Sequence, residues 1–133
     1  GIALDYLKIK SYASREDNKG LLKVFDGRGS CEEPVCGDVM EFTIKTHREI
    51  ITEIGFTITE SACLPVKASA AITAEIAKGK PVLEAYLIDK DQIGQKVGGL
   101  EEEYVHCALM AELALKRTIV NYVYNRSMEQ SLP

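Results

Sequence analysis

The stretch that decides the fold is Met40–Ile58, with the sequence MEFTIKTHREIITEIGFTI. Large apolar residues alternate with polar ones near each of its ends, and the residues between them, Thr46–Glu49, are polar. Alternation with a period of two gives a strand one face for a core and one face for water. The stretch therefore predicts two antiparallel strands joined by a turn at Thr46–Glu49. The alternating apolar positions are Met40, Phe42, Ile44, Ile54, Phe56 and Ile58.

Further strand and helix signals lie on the amino-terminal side of this pair. Leu21–Phe25 is rich in apolar residues and predicts a first strand. The two glycines within Asp26–Gly29 predict a turn after it, because glycine tolerates positive φ. Ile2–Tyr12 has apolar residues at uneven helical spacing and predicts a short helix.

Beyond Cys63 the pattern changes to that of a helix. Pro65 suits the first helical turn, where a missing N–H costs nothing, and small apolar residues follow at i and i+4 as far as Gly79. Further predictions are short helices over Pro81–Ile88 and from Asp89 or Asp91 to Val97, a long helix over Val105–Tyr124, and a frayed tail over Ser127–Pro133.

The order of strands followed by helices predicts an α+β fold. We expect a three-stranded antiparallel sheet with the helices on one face, including a long carboxyl-terminal helix, and with solvent on the other face. The length of 133 residues predicts a single domain over residues 1–133.

Composition and charge exclude several broad classes of protein. With 46% hydrophobic residues, the chain is expected to fold rather than to stay disordered. Its 16 basic and 20 acidic residues give a net charge of −4 and form no basic cluster, so no nucleic-acid partner is expected. No apolar run approaches the roughly 18 residues of a membrane span, and Gly1–Lys10 does not resemble a secretory signal. We therefore expect no membrane partner and a cytoplasmic protein with reduced thiols.

Four cysteines then need an explanation: Cys31, Cys36, Cys63 and Cys107. In a reducing compartment, clustered cysteines usually bind metal or take part in catalysis. Their spacing matches neither a zinc finger nor a zinc ribbon, and the chain has no Cys-x-x-Cys pair. Any shared site must therefore be assembled from the ends of separate elements.

Two of these thiols are expected near the start of a helix. Cys63 precedes the helix that begins near Pro65, and Cys107 lies in the first turns of the last helix. The positive end of a helix dipole favours thiolate, which is the form that binds metal. The acidic run Glu101–Glu103 opposes this effect at Cys107, so the balance there stays open.

Cys36 and Asp38 lie just before the second strand. If the alternation of that strand continues backwards, both side chains face the helix-covered side of the sheet. Gly37 between them has the freedom to break that register, so their orientation depends on the conformation of one glycine.

The string Cys36-Gly37-Asp38-Val39-Met40 resembles the first ligand motif of the U-type iron–sulfur cluster assembly scaffolds, the IscU/NifU N-terminal family. Cys63 with Ala68-Ser69 at plus five and plus six is similar to the second motif of that family. His106-Cys107-Ala108 resembles the third. The resemblance extends in order and spacing over about Asn18–Tyr124.

The resemblance implies a scaffold rather than an enzyme. A member of this family receives sulfur as persulfide from a cysteine desulfurase, receives iron, builds a cluster that is usually [2Fe–2S], and passes it to acceptor apoproteins. For this chain it implies Cys36, Cys63 and Cys107 as cluster ligands, Asp38 or His106 as the fourth ligand, and Cys107 as the first sulfur acceptor. A [4Fe–4S] cluster and a homo-oligomer in which two chains share one cluster both stay open.

Such a ligand set suits a cluster that has to be released to another protein. Thiolates bind cluster iron firmly, whereas a carboxylate or an imidazole is a weaker fourth ligand that eases release. The same residues suit a tetrahedral Zn²⁺ site, so zinc in place of the cluster is expected in some preparations.

Two features depart from the family pattern. Members that work with a dedicated Hsp70-type chaperone have Leu-Pro-Pro-Val-Lys before the His-Cys pair, whereas here Leu100 is followed by Glu101–Tyr104. This difference predicts no recognition by that chaperone through the segment. Cys31 is an additional thiol in the loop before Cys36, and a small buried hydrophobe is a simpler interpretation of it than a ligand or a persulfide relay.

Two other function classes stay open. A zinc- or iron-binding protein of sulfur trafficking, which never builds a cluster, would use the same thiols. A thiol enzyme using Cys107 and His106 is the weakest alternative, because the side chains of adjacent helical residues diverge and do not readily form a nucleophile–base pair.

Overall fold

The computed structural model describes residues 5–99 and 101–132, without the side chain of Glu103. A three-stranded antiparallel sheet and a set of helices make up the described residues, so the predicted α+β fold is confirmed. In chain order the elements are α1 (Tyr6–Ala13), β1 (Gly27–Glu32), β2 (Val39–His47), β3 (Ile50–Ile58), α2 (Leu64–Ala77), α3 (Val82–Tyr86), α4 (Lys90–Gln95) and α5 (Glu102–Gln130).

Strands β2 and β3 form the hairpin that the alternation predicts, and β2 is the central strand of the sheet. Phe42 lies opposite Phe56, with the ring centroids 6.0 Å apart, and Ile44 lies opposite Ile54. The turn is Arg48–Glu49, where both residues have positive φ, as the tight two-residue turns of hairpins require. The apolar side chains of both strands face the helices and form the core.

The first strand differs from its prediction. It is Gly27–Glu32 rather than Leu21–Phe25, and it contains the glycines for which the sequence predicts a turn. A Cβ at Gly27 would lie 2.7 Å from the carbonyl oxygen of Thr118, and a Cβ at Gly29 would lie even closer to the Thr118 backbone nitrogen. Glycine is therefore needed here because α5 packs directly on β1 and leaves no room for a side chain.

The outer face of the sheet is partly covered by residues 18–26. Gly20 N donates to Phe56 O at 2.7 Å, at the free edge of β3. Leu22 N then donates to Thr43 Oγ1 at 2.9 Å, in the middle of the sheet, and Thr43 is fully buried. The expectation of a solvent-exposed outer face is wrong at this point, because the segment predicted as a strand crosses that face instead.

Helix α5 has 29 residues and exceeds its prediction of Val105–Tyr124 at both ends. Residues 127–130 are helical, so the predicted frayed tail is wrong for them, and Pro133 lies outside the described residues. No helix in the described part of the chain has the length and apolar character of a membrane span.

The shorter helices lie close to their predicted places, and side-chain caps explain two of their starts. Asp5 Oδ1 accepts from Leu7 N at 3.1 Å at the start of α1, while residues 2–4 of the predicted helix lie outside the described residues. Asp89 Oδ1 accepts from Gln92 N at 3.0 Å at the start of α4. Each cap satisfies a backbone N–H that has no partner within the helix.

Candidate functional site

One end of the sheet gathers three chain connections, each of which carries a cysteine. They are the β1–β2 loop with Cys36, the junction of β3 and α2 with Cys63, and the first turns of α5 with Cys107. All three are free thiols, and Cys107 lies close enough to interact with each of the other two. Thiols that are far apart in the sequence thus converge in the fold.

Cys63 is the N-cap residue of α2, as its place before Pro65 predicts. Its backbone is extended, with φ −69° and ψ 161°, and its side chain makes no capping hydrogen bond. Pro65 in the first turn has no N–H to satisfy, which reduces the need for a cap. The exposed Cys63 side chain is therefore available for contacts with α5.

Cys107 lies in the second turn of α5 and is only 3% exposed. Its thiol makes a side-chain hydrogen bond with Cys63 and lies within electrostatic range of Cys36. Burial is the main cause that raises the pKa of the Cys107 thiol to about 12, and the neighbouring Cys63 adds to the rise. The helix start therefore does not produce a thiolate here, and the neutral thiol prevails.

Cys36 lies in an exposed turn of the β1–β2 loop, not in an extended continuation of β2. Gly37 has φ +76°, so the alternation of β2 breaks there, and the extended geometry on which the predicted orientation of Cys36 depends is wrong. Cys36 Sγ lies 3.2 Å from Asp38 Oδ2. These two predicted site residues are therefore in contact with each other at the surface.

Glu33 belongs to this site and is not among the residues predicted from the sequence. Its Oε2 accepts hydrogen bonds from the backbone N–H groups of Val35, at 3.0 Å, and Cys36, at 2.6 Å. Across the loop, Glu33 N donates to Asp38 O, and Glu33 O accepts from Gly37 N, both at 2.8 Å. The loop is thus folded around one carboxylate. The signal for it in the sequence is weak, since an acidic residue followed by proline is a common surface pattern.

Hydrogen bonding and charge shift the pKa values of the Cys36 thiol and the Glu33 carboxyl in this loop. The hydrogen bond with Glu33 is the main cause that raises the pKa of the Cys36 thiol to about 11. The same interaction with Cys36 holds the pKa of the Glu33 carboxyl below its usual range, and the nearby His106 adds a smaller lowering. His106 is exposed on α5, so the loop and the start of α5 face each other across the site.

The structure brings the five predicted site residues to one region: Cys63 and Cys107 in contact, Cys36 and Asp38 in contact, and His106 near the loop. In the described part of the chain, no three His, Cys, Asp or Glu side chains are placed so as to hold a single metal ion. A metal ion bound by these residues would require the thiols to lose protons and the side chains to move closer together. The donor set of three thiols with a carboxylate and an imidazole suits iron or zinc.

Cys31 differs from these three cysteines in its surroundings. It lies in β1 opposite Met40, on the core side of the sheet, and is 8% exposed. The expectation that it lies in a loop is wrong, because β1 continues as far as Glu32. Its place in the core supports the interpretation as a small buried hydrophobe.

Comparison with known proteins places this geometry in context. The model of the NifU-like N-terminal domain family matches residues 8–129. The chain is 35% identical over 115 residues to "Iron-sulfur cluster assembly scaffold protein IscU 1" of Archaeoglobus fulgidus, which covers 86% of this chain and 74% of that protein. It is 30% identical over 124 residues to the iron–sulfur cluster assembly scaffold protein IscU of Azotobacter vinelandii, covering 91% and 95% of the two chains.

Solved structures share the fold at lower sequence identity. A candidate iron–sulfur cluster assembly scaffold for the SUF system from Fervidobacterium islandicum superposes with a TM-score of 0.67, at 16% identity, over 84% of this chain and 93% of that one. The N-terminal part of a NifU-like protein from Brucella abortus superposes with a TM-score of 0.57, at 16% identity, over 94% of each chain. At such identities the likeness concerns the fold alone.

Proposed function

The chain belongs to the family of the NifU-like N-terminal domain, and on this basis we propose that it is a scaffold for iron–sulfur cluster assembly. Its cargo is a [2Fe–2S] cluster, built from iron and from sulfur that a cysteine desulfurase supplies. The receivers are acceptor apoproteins. The chain acts as a carrier and not as a catalyst.

The observation that carries this proposal is the convergence of three thiols from separate connections. Cys63 and Cys107 are in hydrogen-bond contact, and Cys36 is within electrostatic range of Cys107. Thiolates are the preferred ligands of cluster iron, and three of them leave the fourth place to a weaker ligand. Relatives at 30% and 35% identity whose names describe cluster assembly scaffolds support the same function.

Asp38 or His106 completes the proposed ligand set. The 3.2 Å contact between Asp38 Oδ2 and Cys36 Sγ supports Asp38, because both side chains belong to the same short loop. A hard carboxylate oxygen binds cluster iron less firmly than thiolate does. Asp38 is then the first ligand that an incoming thiol of an acceptor displaces.

Cys107 can act as the first sulfur acceptor only if the donor persulfide reaches its buried thiol. In persulfide transfer the acceptor thiolate attacks the outer sulfur of the donor persulfide, and the donor cysteine leaves as thiolate. Because Cys107 is 3% exposed, the donor reaches it only when the side chains that cover it move aside. Transfer to Cys63 first, followed by transfer to Cys107, uses the same chemistry without that movement.

The surroundings proposed for this function are reducing and cytoplasmic. Four free thiols, two of them exposed, support this setting because exposed thiols persist where disulfides are kept reduced. The partners are a cysteine desulfurase and acceptor proteins, without an Hsp70-type chaperone at Glu101–Tyr104. The native mass of the loaded protein shows whether one chain or two chains hold the cluster.

Anaerobic loading followed by transfer tests the proposal. The protein is incubated with iron, sulfide and thiol, separated from the excess, and mixed with an apo-ferredoxin. We expect a coloured protein that loses its visible absorption as the circular dichroism of the holo-ferredoxin appears. A protein that stays colourless and takes up only zinc would instead support the alternative function, sulfur trafficking without cluster assembly.

A further inference from the structure

A buried hydrogen-bonded chain joins the two helix starts that carry Cys63 and Cys107. Ser69 Oγ lies 2.9 Å from Pro65 O and 3.0 Å from the Tyr104 hydroxyl. A carbonyl oxygen only accepts, so the single hydroxyl hydrogen of Ser69 goes to Pro65 O, and Tyr104 donates to Ser69. Tyr104 and Ser69 are both fully buried, which leaves neither hydroxyl the option of bonding to water.

The two ends of this chain are close to the two thiols in sequence and in space. Pro65 lies in the first turn of α2, directly after the N-cap Cys63 and its neighbour. Tyr104 precedes Cys107 by three residues, a spacing that puts both side chains on the same side of α5. The side chain of Cys63 makes no capping bond that would hold it in place. The bonds through Ser69 therefore link the turn that carries one thiol to the turn that carries the other.

We propose that Tyr104 and Ser69 are positioning residues that set the separation of the Cys63 and Cys107 thiols. The proposal rests on the function proposed above, in which both thiols hold the cargo. Neither hydroxyl is a proposed metal ligand. They act through the backbone of α2 and α5, as the groups behind metal ligands do in other sites, where their loss typically costs 10–100-fold in metal affinity.

Co²⁺ binding to the metal-free protein tests the proposal, because Co²⁺ reports thiolate ligands by its charge-transfer absorption. The variants are Tyr104→Phe, which removes one hydroxyl and keeps the ring, and Ser69→Ala. We expect each to bind Co²⁺ about tenfold more weakly than the wild type. The double variant is expected to lose little more than either single variant, since both hydroxyls belong to one chain of bonds.

Tyr122→Phe is the matched control. Tyr122 is also a buried tyrosine of α5, and its hydroxyl bonds to Glu49 Oε1 at 2.9 Å, far along the helix from the thiols. Its loss is expected to leave Co²⁺ affinity unchanged even where it lowers the melting temperature. Equal Co²⁺ affinity of Tyr104→Phe and Tyr122→Phe, or additive losses in the double variant, would overturn the proposal.

A second measurement needs no metal and separates this inference from the proposed function. In protein with Cys31→Ser and Cys36→Ser, a mild oxidant joins Cys63 and Cys107 at a rate that depends on their approach. We expect Tyr104→Phe and Ser69→Ala to slow this disulfide several-fold and Tyr122→Phe to leave it unchanged. If the wild type binds no metal and the disulfide rates still differ in this way, the scaffold function alone would be overturned. Equal disulfide rates in all variants would overturn the positioning role alone.

Discussion

At the scale of single residues, the candidate site combines thiols in very different surroundings. Cys36 and Cys63 are exposed, whereas Cys107 is 3% exposed and lies against Cys63. Exposed thiols can meet a donor or an acceptor, and a buried thiol retains what it holds. This difference suits a protein that must both receive and release a cluster.

The Glu33 carboxylate is expected to hold Cys36 in place through its two bonds to the loop backbone. Glu33→Ala removes the oxygen that accepts both bonds, so we expect Zn²⁺ affinity to fall about tenfold in competition with a chelator. Glu33→Gln keeps an acceptor oxygen and should stay close to the wild type. Glu32→Ala, at an exposed neighbouring position, is the control, and an equal loss in that variant would contradict the assigned role.

Metal binding is expected to release protons from Cys36 and Cys107. Their pKa values are raised to about 11 and about 12, so both are neutral thiols at neutral pH and must ionise to bind. Zn²⁺ affinity should therefore rise as the pH is raised toward 11. Calorimetry in buffers of different ionisation enthalpy measures the protons directly. A binding enthalpy that does not depend on the buffer would contradict this expectation.

Replacement of Asp38 by Ala is expected to slow cluster release. The carboxylate is the weakest proposed ligand, so its place is where an acceptor thiol first enters. In the variant a neighbouring side chain that binds iron more firmly takes that place, which leaves the acceptor no labile ligand to displace. The measurement is the rate of transfer to apo-ferredoxin from equally loaded proteins. Asp17→Ala, at an exposed position outside the site, is the control. Faster transfer from Asp38→Ala would count against the assigned role.

At the scale of elements, the close packing of α5 on β1 determines where the site lies. The glycines of β1 let the helix backbone approach the strand, which carries the start of α5 beside the β1–β2 loop. The sequence could not reveal this role, since Gly27 and Gly29 also fit a turn. By contrast, the β2–β3 hairpin was predictable, because the alternation of large apolar residues leaves one choice of inward face.

Gly29→Ala should destabilise the fold through this contact. A Cβ there would meet backbone atoms of Arg117 and Thr118, and backbone cannot turn aside as a side chain can. We expect the free energy of unfolding to fall by about 1–3 kcal/mol in urea titration. Ser30→Ala changes the next, exposed residue and should have little effect. Equal stability of the two variants would contradict the direct packing of α5 on β1.

At the scale of the whole molecule, three connections far apart in the sequence meet at one end of the sheet. The spacing of the cysteines alone does not predict this meeting, because residues 31–107 could connect the strands and helices in many different ways. The resemblance to a known family supplied the site residues, and the fold then explained their proximity. Glu33 and the link between Tyr104 and Ser69 were not predictable, since each depends on loop and helix contacts that leave no periodic pattern.

Anaerobic reconstitution of single cysteine variants tests directly whether Cys36, Cys63 and Cys107 hold a cluster, with iron content and the visible spectrum as the measurements. We predict that Cys36→Ala, Cys63→Ala and Cys107→Ala each lose the charge-transfer bands of a bound cluster. Cys31→Ala should keep both the bands and the iron, because Cys31 lies in the core of the sheet. Wild-type iron content and spectrum in any of the first three variants, or their loss in folded Cys31→Ala, would contradict this prediction.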